Sequence, residues 1–318
     1  MIATAAEPCL SPFADPNARA LDPAKFRHPL VTAKGQVRAH VALDRLDTLW
    51  INTGTLCNLA CKSCYIESSP TNDALVYLTL AEVEAYLDEA EPLGVREIGF
   101  TGGEPFMNRD MPAMMGSALG RGFEVLVLTN AMRPMRRFEE QLKALPRERL
   151  TMRVSLDHYT QAAHEAERGA GAWAKALDGL RWLSEHGFRI AVAGRHLPGE
   201  DEEAARAGYA RLFQELGVNV DAGLVLFPEM DGSADVPEIT EACWGILDVA
   251  PSAMMCASSR MVVKPKGAER PHVVACTLLP YQEEFALGET LAGASGKVML
   301  NHPHCARFCV LGGASCSG

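Results

Sequence analysis

The sequence has 318 residues, 48% of them hydrophobic, and a formal net charge of −10 at pH 7. That hydrophobic content excludes a globally disordered chain, and the negative charge argues against a protein that neutralises nucleic-acid phosphates. The chain lacks any run of about 20 apolar residues, so we expect neither a membrane-spanning segment nor a membrane partner. Its first residues show no secretory signal, so its ten cysteines favour a reducing, cytoplasmic location and metal ligation over disulfides.

The predicted elements begin irregularly and then alternate. Residues 1–25 predict an irregular lead-in, and residues 26–47 predict a hairpin that turns at Lys34-Gly35. From residue 48 onward, short apolar strands alternate with helical patterns, which predicts a parallel sheet covered by helices. The strands are predicted at 48–54, 97–100, 124–129, 150–155, 188–194 and 223–227, and the helices between them at about 79–93, 110–120 and 135–145, from Trp173 to Gly187, and at about 201–216.

A second, smaller module is predicted after Pro228, where the alternation ends. Residues 229–237 have the composition of a linker, and a short helix is expected near 239–248. Two further strands, at 260–263 and 273–275, are expected to flank a turn. The chain is therefore divided into a lead-in and hairpin (1–47), an alternating domain (48–230) and a cysteine-rich module (231–318).

Three cysteines follow the first core strand with the spacing C-x3-C-x2-C, at Cys57, Cys61 and Cys64. Thiolates this close together can hold a soft metal, hold an iron–sulfur cluster or form disulfides. A structural zinc site or an ordinary cubane uses four protein ligands, so three cysteines leave one position open. A zinc knuckle and a disulfide loop are the structural alternatives.

This cysteine spacing, with Tyr65 beside the last cysteine, resembles the signature of the radical S-adenosylmethionine (radical SAM) enzymes. The run from Thr101 to Pro105, Thr-Gly-Gly-Glu-Pro, resembles the motif of the same family that binds the amino group of the methionyl moiety. The resemblance implies an α/β fold, a partial (β/α)6 TIM-like barrel with a small C-terminal cysteine-rich module. It also implies that the three cysteines hold a [4Fe–4S] cluster whose fourth iron binds S-adenosylmethionine (SAM). Reductive cleavage of SAM would give a 5′-deoxyadenosyl radical that takes hydrogen from the substrate.

The resemblance further implies a cofactor pocket at the strand ends. Glu104 is expected to accept a hydrogen bond from the methionyl ammonium, and Gly102 and Gly103 to allow a close backbone approach. The other candidates are Ser155 for the ribose, Asn130 for the same pocket, Arg195 for the cofactor carboxylate, and Leu226 and Tyr65 for adenine, each with plain structural packing as the alternative.

No motif identifies the catalytic groups that act on substrate. Candidates are polar residues that follow predicted strands, because ligand loops gather at the carboxyl ends of barrel strands. Each of them has a solvated loop residue as its alternative. They are Asp157, His158, Tyr159, His196 and Glu229.

Half of the cysteines lie after residue 255: Cys256, Cys276, Cys305, Cys309 and Cys316. The first two flank the predicted hairpin and the others lie near the C-terminus, an arrangement suited to a second cluster. It resembles the SPASM or shortened twitch extension of radical SAM enzymes, which implies an auxiliary [4Fe–4S] cluster. The expected ligands are Cys256, Cys276, Cys305 and Cys309, with Cys316 as a substitute, and a zinc site is the alternative. Cys243 is expected to be a buried small hydrophobe.

The leading functional hypothesis is a radical SAM oxidoreductase that removes hydrogen from a small molecule. The second cluster motivates it, because a net oxidation must dispose of one further electron. The enzyme would require a reducing partner such as flavodoxin or ferredoxin. A peptide-modifying maturase is the alternative within enzymes, and a non-enzymatic zinc-binding regulatory protein is the alternative of another class.

Overall fold

Parallel strands form the centre of the structure, a computed structural model that describes residues 19–197, 199–228 and 234–313. β2 to β7 pair in parallel and in sequence order, so that each of β3 to β7 lies beside the strand before it. Because helices connect them on the outside, the predicted partial TIM-like barrel is confirmed. The strands are β1 (His40–Val41), β2 (Thr48–Asn52), β3 (Glu97–Thr101), β4 (Glu124–Thr129), β5 (Leu150–Ser155), β6 (Arg189–His196), β7 (Leu224–Pro228), β8 (Ser259–Val263), β9 (His272–Val274), β10 (Ala286–Gly288) and β11 (Val298–Met299).

The helices lie mostly between the barrel strands. α1 begins with the capping box expected from its sequence: Thr79 Oγ1 accepts from the Glu82 amide at 3.3 Å, and Glu82 Oε2 accepts from the Thr79 amide at 2.9 Å. The helices are α1 (Leu80–Ala90), α2 (Met111–Gly120), α3 (Arg133–Arg136), α4 (Glu139–Ala144), α5 (Gln161–Arg168), α6 (Ala172–Glu185), α7 (Glu202–Leu216) and α8 (Glu241–Leu247), and a π-helix spans Cys305–Leu311.

The predicted helix at 135–145 is wrong, because two short helices, α3 and α4, occupy this region and Phe138 between them leaves the helical conformation (φ −109°, ψ 23°). Helix α5 was not predicted. Its residues are mostly polar and only His164 is buried, so no apolar periodicity marks it. The eight predicted strands, by contrast, agree with the structure to within two residues at each end.

The C-terminal hairpin is attached to the barrel sheet. β8 and β9 are antiparallel, as expected, but β8 also pairs in parallel with β2, from Thr48 opposite Ser259 to Ile51 opposite Val262. The sheet order is therefore β10-β9-β8-β2-β3-β4-β5-β6-β7. Short β1 and β11 pair separately, so a segment before the barrel meets the cysteine-rich end of the chain. The division of the chain at residue 230 stays a prediction.

The interior of the barrel is filled by side chains. Trp50 on β2 is fully buried there, packed with Leu126 and Met261. A Cβ atom at Gly99, the neighbouring position on β3, would lie 2.4 Å from the Trp50 ring, so only glycine leaves room for the indole. Trp50 is thus the floor on which any ligand at the carboxyl end of the strands would rest.

None of the described helices has the length and apolarity needed to cross a membrane.

Gly179 on α6 fixes the loop after β4. A Cβ atom there would lie 1.8 Å from the carbonyl oxygen of Ala131, which is fully buried and has a positive φ of 57°. The helix and the loop backbone are therefore in direct contact. Since Asn130 precedes Ala131, this contact also sets the position of a predicted site residue.

We expect Gly179→Ala to destabilise the protein, although Gly to Ala inside a helix ordinarily stabilises. The new methyl group must push backbone atoms apart, at a cost of about 1–3 kcal/mol or more. The free energy of unfolding, from anaerobic urea titration, measures this cost.

Gly116→Ala on α2 is the matched control, because its Cβ would meet only Leu145 at an ordinary 3.5 Å. There we expect no loss, or a gain of about 0.5–1 kcal/mol from the better helix former. Equal effects of the two substitutions would contradict the close contact of Gly179 with Ala131.

Candidate active site

A cavity of about 180 Å³ lies at the carboxyl ends of the barrel strands; we call it the first cavity. Its lining includes most of the residues singled out in the sequence: Cys57, Cys61, Cys64, Tyr65, Gly102, Gly103, Asn130, Ser155, Asp157 and Arg195. Glu104, Leu226, His158, Tyr159 and His196 do not line it, and Glu229 lies outside the described residues. The predicted site residues thus form two groups, those that line the first cavity and those that lie away from it.

The cysteine loop, residues 57–64, presents its three thiols to this cavity. The Leu59 amide donates to Cys57 Sγ and the Ser68 amide donates to Cys64 Sγ, each at 3.4 Å. Burial raises the pKa of Cys57 to about 12, and burial likewise raises the pKa of Cys61. Thiols held in this way become thiolates only beside a strong positive charge, such as that of bound iron.

The two glycines of the Gly-Gly-Glu motif lie against the segment that leads into the cysteine loop. The Gly103 amide donates to the Gly54 carbonyl at 2.8 Å. A Cβ atom at Gly102 would lie 2.5 Å from that carbonyl oxygen, and one at Gly103 would lie 2.3 Å from the Leu56 oxygen. Gly102 also has a φ of 145°. Both positions therefore require glycine for packing against the loop, apart from any ligand.

Glu104 is buried beneath the cavity and ties together the ends of neighbouring strands. Its Oε1 accepts from the Thr129 hydroxyl at 2.8 Å and from the Phe106 amide at 3.3 Å, and its Oε2 accepts from the Asn130 amide at 2.8 Å. Burial raises the pKa of this carboxyl to about 7, against the opposing effect of these hydrogen bonds. A carboxylate has about four acceptor positions, so one remains for a further donor. The expected bond to a methionyl ammonium stays a prediction.

Asn130 positions the cysteine loop. Its side-chain amide donates to Asn58 Oδ1 at 2.9 Å, and its oxygen accepts from the Met132 amide at 3.1 Å. The same side chain lines the first cavity. Its contact with Asn58, which lies between Cys57 and Cys61, connects the end of β4 to the loop.

Asp157 lies between two arginines whose side chains are largely buried. Arg168 donates to both of its oxygens, at 2.7 and 3.0 Å, and Arg195 Nε lies 3.5 Å from Oδ1. Burial alone would raise the pKa of Asp157, but the two guanidinium groups hold it below its usual value. Asp157 is thus an ionised structural anchor in the wall of the cavity.

Arg168 was not identified from the sequence as a site residue. It is the last residue of α5, the helix that the sequence did not reveal, and it lines the first cavity. The neighbouring carbonyl of Glu167 accepts from the Lys62 amide at 2.9 Å, so the end of α5 also holds the cysteine loop.

Arg195 has one nitrogen without a hydrogen-bond partner among the described residues. Its Nη2 donates to the Ser63 carbonyl at 2.7 Å, and its guanidinium carbon lies 4.8 Å from the centre of the Tyr65 ring. Its buried Nη1 makes no hydrogen bond within the described part of the chain. A buried guanidinium donor that lines a cavity suits an anionic ligand group.

Aromatic rings from three segments meet beside the cavity. Tyr65 makes edge contacts with Phe227 and Phe308, at centroid distances of 6.4 and 5.8 Å. Phe227 on β7 lines the cavity, whereas its neighbour Leu226 faces the other side and packs on the core between the strands and the outer helices. Phe227 is therefore the better candidate for contact with adenine, because successive strand residues point to opposite faces.

The remaining catalytic candidates lie away from the cavity. His158 Nε2 lies 3.1 Å from Glu200 Oε1, and the Tyr159 hydroxyl donates to the same oxygen at 3.0 Å. The two rings stack on each other, with centroids 4.1 Å apart. His196 Nε2 is buried without a hydrogen bond among the described residues. Nothing in these contacts connects the three residues to a ligand in the first cavity.

A second pocket, of about 20 Å³, gathers the four expected auxiliary ligands, Cys256, Cys276, Cys305 and Cys309. Burial raises the pKa of Cys256 to about 11 and also raises the pKa of Cys305. The Leu278 amide donates to Cys276 Sγ at 3.3 Å. Cys316 lies outside the described residues. Cys243 is half-buried rather than buried, and it lies apart from the pocket on α8, where its sulfur accepts from Thr240.

Arg260 contacts the backbone of one of these cysteines, and His304 lines the pocket with them. Arg260 is buried, yet all its hydrogen bonds go to backbone carbonyls, including that of Cys256 at 2.6 Å, so no described carboxylate balances its charge. His304 lines the pocket, and its Nδ1 has no partner in the described part of the structure. Sequence reasoning missed His304, although its position directly before Cys305 was a usable signal.

The donor sets fit clusters better than single ions. Cys57, Cys61, Cys64, Cys243, Cys256 and Cys305 form no disulfide within the described ranges. Nowhere in the described ranges do three His, Cys, Asp or Glu side chains converge closely enough for one metal ion. A cubane spreads its ligands around four irons, so thiols that ring a cavity fit it. The N–H···S bonds at both sites and the uncompensated charge of Arg260 suit an anionic cluster.

Comparisons with known proteins agree with this geometry. Residues 51–207 match the family model of the Radical SAM superfamily. One relative is AlbA, the antilisterial bacteriocin subtilosin biosynthesis protein of Bacillus subtilis. The two sequences are 30% identical over 138 residues, which are 43% of this chain and 30% of AlbA. Another is the mycofactocin maturase MftC of Mycobacterium ulcerans. It is 31% identical to this chain over 156 residues, which are 48% of this chain and 41% of MftC. The matched segments thus span less than half of these relatives.

Solved structures of similar fold include SuiB of Streptococcus suis bound to S-adenosylmethionine. The TM-score is 0.59 at 12% sequence identity, over 85% of this chain and 68% of that chain. At this identity the similarity concerns the fold. It supports the assignment of the barrel independently of the cysteine spacing.

We expect Asp157→Asn to lower the free energy of unfolding by about 3–5 kcal/mol at pH 7, because it leaves two buried guanidinium groups without their anion. The carboxyl has a lowered pKa in the folded state, so its contribution is present above the unfolded pKa of about 4 and is lost as the pH falls through the folded value. The difference in the free energy of unfolding between wild type and variant should therefore become smaller below about pH 4. Urea titrations at several pH values measure it.

Asp178→Asn is the control, because Asp178 forms a 2.6 Å ion pair with Arg136 but is 72% exposed. A surface pair contributes about 0–1 kcal/mol. Similar losses in the two variants, or a loss in Asp157→Asn that does not vary with pH, would contradict the buried anchor.

Proposed function

We propose that the chain is a radical SAM enzyme that oxidises a small molecule, on the premise that residues 51–207 match the family model of the Radical SAM superfamily. One observation carries the proposal. Three thiols, the backbone of Gly102 and Gly103, and Nη1 of Arg195, which makes no hydrogen bond to a described residue, converge on one cavity at the carboxyl ends of parallel strands. Together these groups suit a cluster and the zwitterionic end of SAM.

The cofactors required are a [4Fe–4S] cluster and SAM, which, when bound, supply reductive cleavage of the sulfonium and a 5′-deoxyadenosyl radical that removes hydrogen. The chain's own residues bind and orient. Cys57, Cys61 and Cys64 are the cluster ligands, and Arg195 Nη1 is the donor for the cofactor carboxylate. Three further parts of the cofactor have their own contacts. The methionyl ammonium is held by Gly102, Gly103 and Glu104, the ribose is bound by Ser155, and the adenine is contacted by Tyr65 and Phe227. Trp50 below and the aromatic rings beside the cavity exclude water.

The second pocket supports a net oxidation. We assign Cys256, Cys276, Cys305 and Cys309 as ligands of an auxiliary [4Fe–4S] cluster, with Cys316 as a substitute. Leu278 lines both the second pocket and the first cavity. The two pockets therefore share part of a wall, and a cluster in the second pocket would lie near the substrate region as an acceptor for the second electron.

A peptide substrate is the second candidate. AlbA and MftC are named for the production of a bacteriocin and of mycofactocin, and both match this chain at about 30% identity. The open edges of the sheet, β7 and β10, would offer backbone partners to an extended peptide. The experiments below test the shared radical chemistry, whichever substrate applies.

Replacing Cys57, Cys61 and Cys64 together by Ala should remove about four irons and abolish release of 5′-deoxyadenosine from SAM. The physical reason is that these are the thiols that line the first cavity. The measurements are iron content and 5′-deoxyadenosine after anaerobic reconstitution and reduction.

Cys243→Ala is the control, since Cys243 lies outside both pockets. It should keep about eight irons and full cleavage. A triple variant that still releases 5′-deoxyadenosine would contradict the assignment, and a colourless wild-type protein with stoichiometric zinc would favour the regulatory alternative.

Replacing Cys305 and Cys309 by Ala should remove about four other irons and stop substrate oxidation, while uncoupled cleavage of SAM persists. The double variant keeps Phe308 and its contacts with Tyr65, which truncation of the tail would lose. Iron content and electron paramagnetic resonance of the reduced protein measure the outcome. Unchanged iron would mean that the tail holds no cluster, and the argument for an oxidation would fail with it.

A further inference from the structure

A groove of about 890 Å³ lies on the outer side of the cysteine loop; we call it the basic groove. It shares no lining residue with the first cavity, so it is distinct from the site where cofactor and substrate bind. Its lining residues come from the loop itself, the segment after β4, and α6. They are Asn58, Leu59, Met107, Met132, Arg133, Pro134, Arg136, Arg137, Ala174, Lys175 and Asp178.

The cysteine loop is the wall between the groove and the first cavity. Leu59 lines the groove, and its amide donates to Cys57 Sγ at 3.4 Å. Asn58 also lines the groove, and its side-chain nitrogen lies 3.8 Å from Met132 Sδ. A molecule seated in the groove would therefore be separated from a cluster ligand by the thickness of one residue.

The charge of the groove opposes that of the chain. The whole chain carries −10, yet this groove collects four basic side chains and one acidic one. Arg136 is paired with Asp178 and Glu139. Arg133, Arg137 and Lys175 are exposed and form no ion pair in the part of the chain that the structure describes. A local excess of exposed positive charge on an acidic protein favours an acidic partner.

We propose that the basic groove is the docking surface for a small acidic protein that delivers single electrons, of the flavodoxin or ferredoxin kind. The inference rests on the proposed function, because the electron has a destination only if Cys57, Cys61 and Cys64 hold a cluster. One electron leaves the reduced carrier, which is oxidised by one unit, and the cluster is reduced by one unit. The Leu59 amide and Cys57 Sγ are the contact through which it passes.

The test compares two charge-reversal variants. Arg133→Glu with Lys175→Glu changes the groove. Arg181→Glu with Arg189→Glu makes the same change in net charge at exposed positions outside it, neither of which forms an ion pair among the described residues. Reduction of the reconstituted cluster is followed by anaerobic stopped-flow absorbance. The reductants are flavodoxin hydroquinone, reduced ferredoxin and photoreduced 5-deazariboflavin, which is small and uncharged.

We expect the groove variant to be reduced by both carrier proteins at least about 10-fold more slowly than wild type at low ionic strength, since charge steering contributes about 10- to 1,000-fold to association rates. The control variant should stay within about twofold. The wild-type rate with the carriers should fall as salt rises. With 5-deazariboflavin all three proteins should be reduced alike.

Normal reduction of the groove variant by both carriers would overturn the proposal, as would a wild-type rate that salt does not change. Slow reduction of that variant by 5-deazariboflavin as well would also overturn it, because the residues would then act on the loop and not on docking. A wild-type protein without a reducible cluster would refute the proposed function itself, which is a different result from the loss of docking alone.

Discussion

The anchoring of the cysteine loop from several sides is the constraint on which the site depends. Asp157 holds the guanidinium groups of Arg168 and Arg195 in place, and Arg195 in turn donates to the carbonyl of Ser63 within the loop. The two glycines after β3 close against the segment that precedes the loop, and Asn130 contacts Asn58 inside it. A loop without regular secondary structure is thus held by the ends of β3, β4, β5 and β6, which is how a rigid scaffold positions flexible chain for chemistry.

The C-terminal module is joined to this site and does not merely follow it. The π-helix that carries Cys305 and Cys309 also carries Phe308, whose ring meets those of Tyr65 and Phe227 beside the first cavity. Thr277 and Leu278, next to Cys276, line that cavity directly. Any ligand set assembled in the second pocket therefore fixes part of the wall of the first. Phe308, Thr277 and Leu278 thus connect the order of the module to the shape of the first cavity.

Sequence patterns predicted the parts of the fold that depend on apolar periodicity and short motifs. The eight strands, the capping box of α1 and the convergence of Cys57, Cys61 and Cys64 with Gly102 and Gly103 all follow from such local signals. The missed features depend on long-range contacts. Arg168 is identified as a site residue only through its pairing with Asp157, and α5, which carries it, buries only His164.

Side-chain direction was the other limit of sequence reasoning. Leu226 and Phe227 are adjacent and both apolar, and only the register of β7 decides which of them faces the cavity. His158 and Tyr159 follow a strand end, as expected of ligand-binding residues, yet their polar atoms are used by Glu200. Position after a strand predicts proximity to the rim, but packing decides what a side chain touches.

The pairing of β8 with β2 has a consequence for how the chain folds. β2 is the first barrel strand to be synthesised, but the partner for its outer edge, beginning with Ser259 opposite Thr48, emerges from the ribosome only after the other barrel strands. Until then a buried, apolar strand has an unpaired edge, the kind of surface that promotes aggregation of nascent chains. Closure of that edge joins residues very distant in sequence, which slows folding. β8, made after the other barrel strands, thus completes the protection of β2, and chaperone contact during synthesis should concentrate on β2.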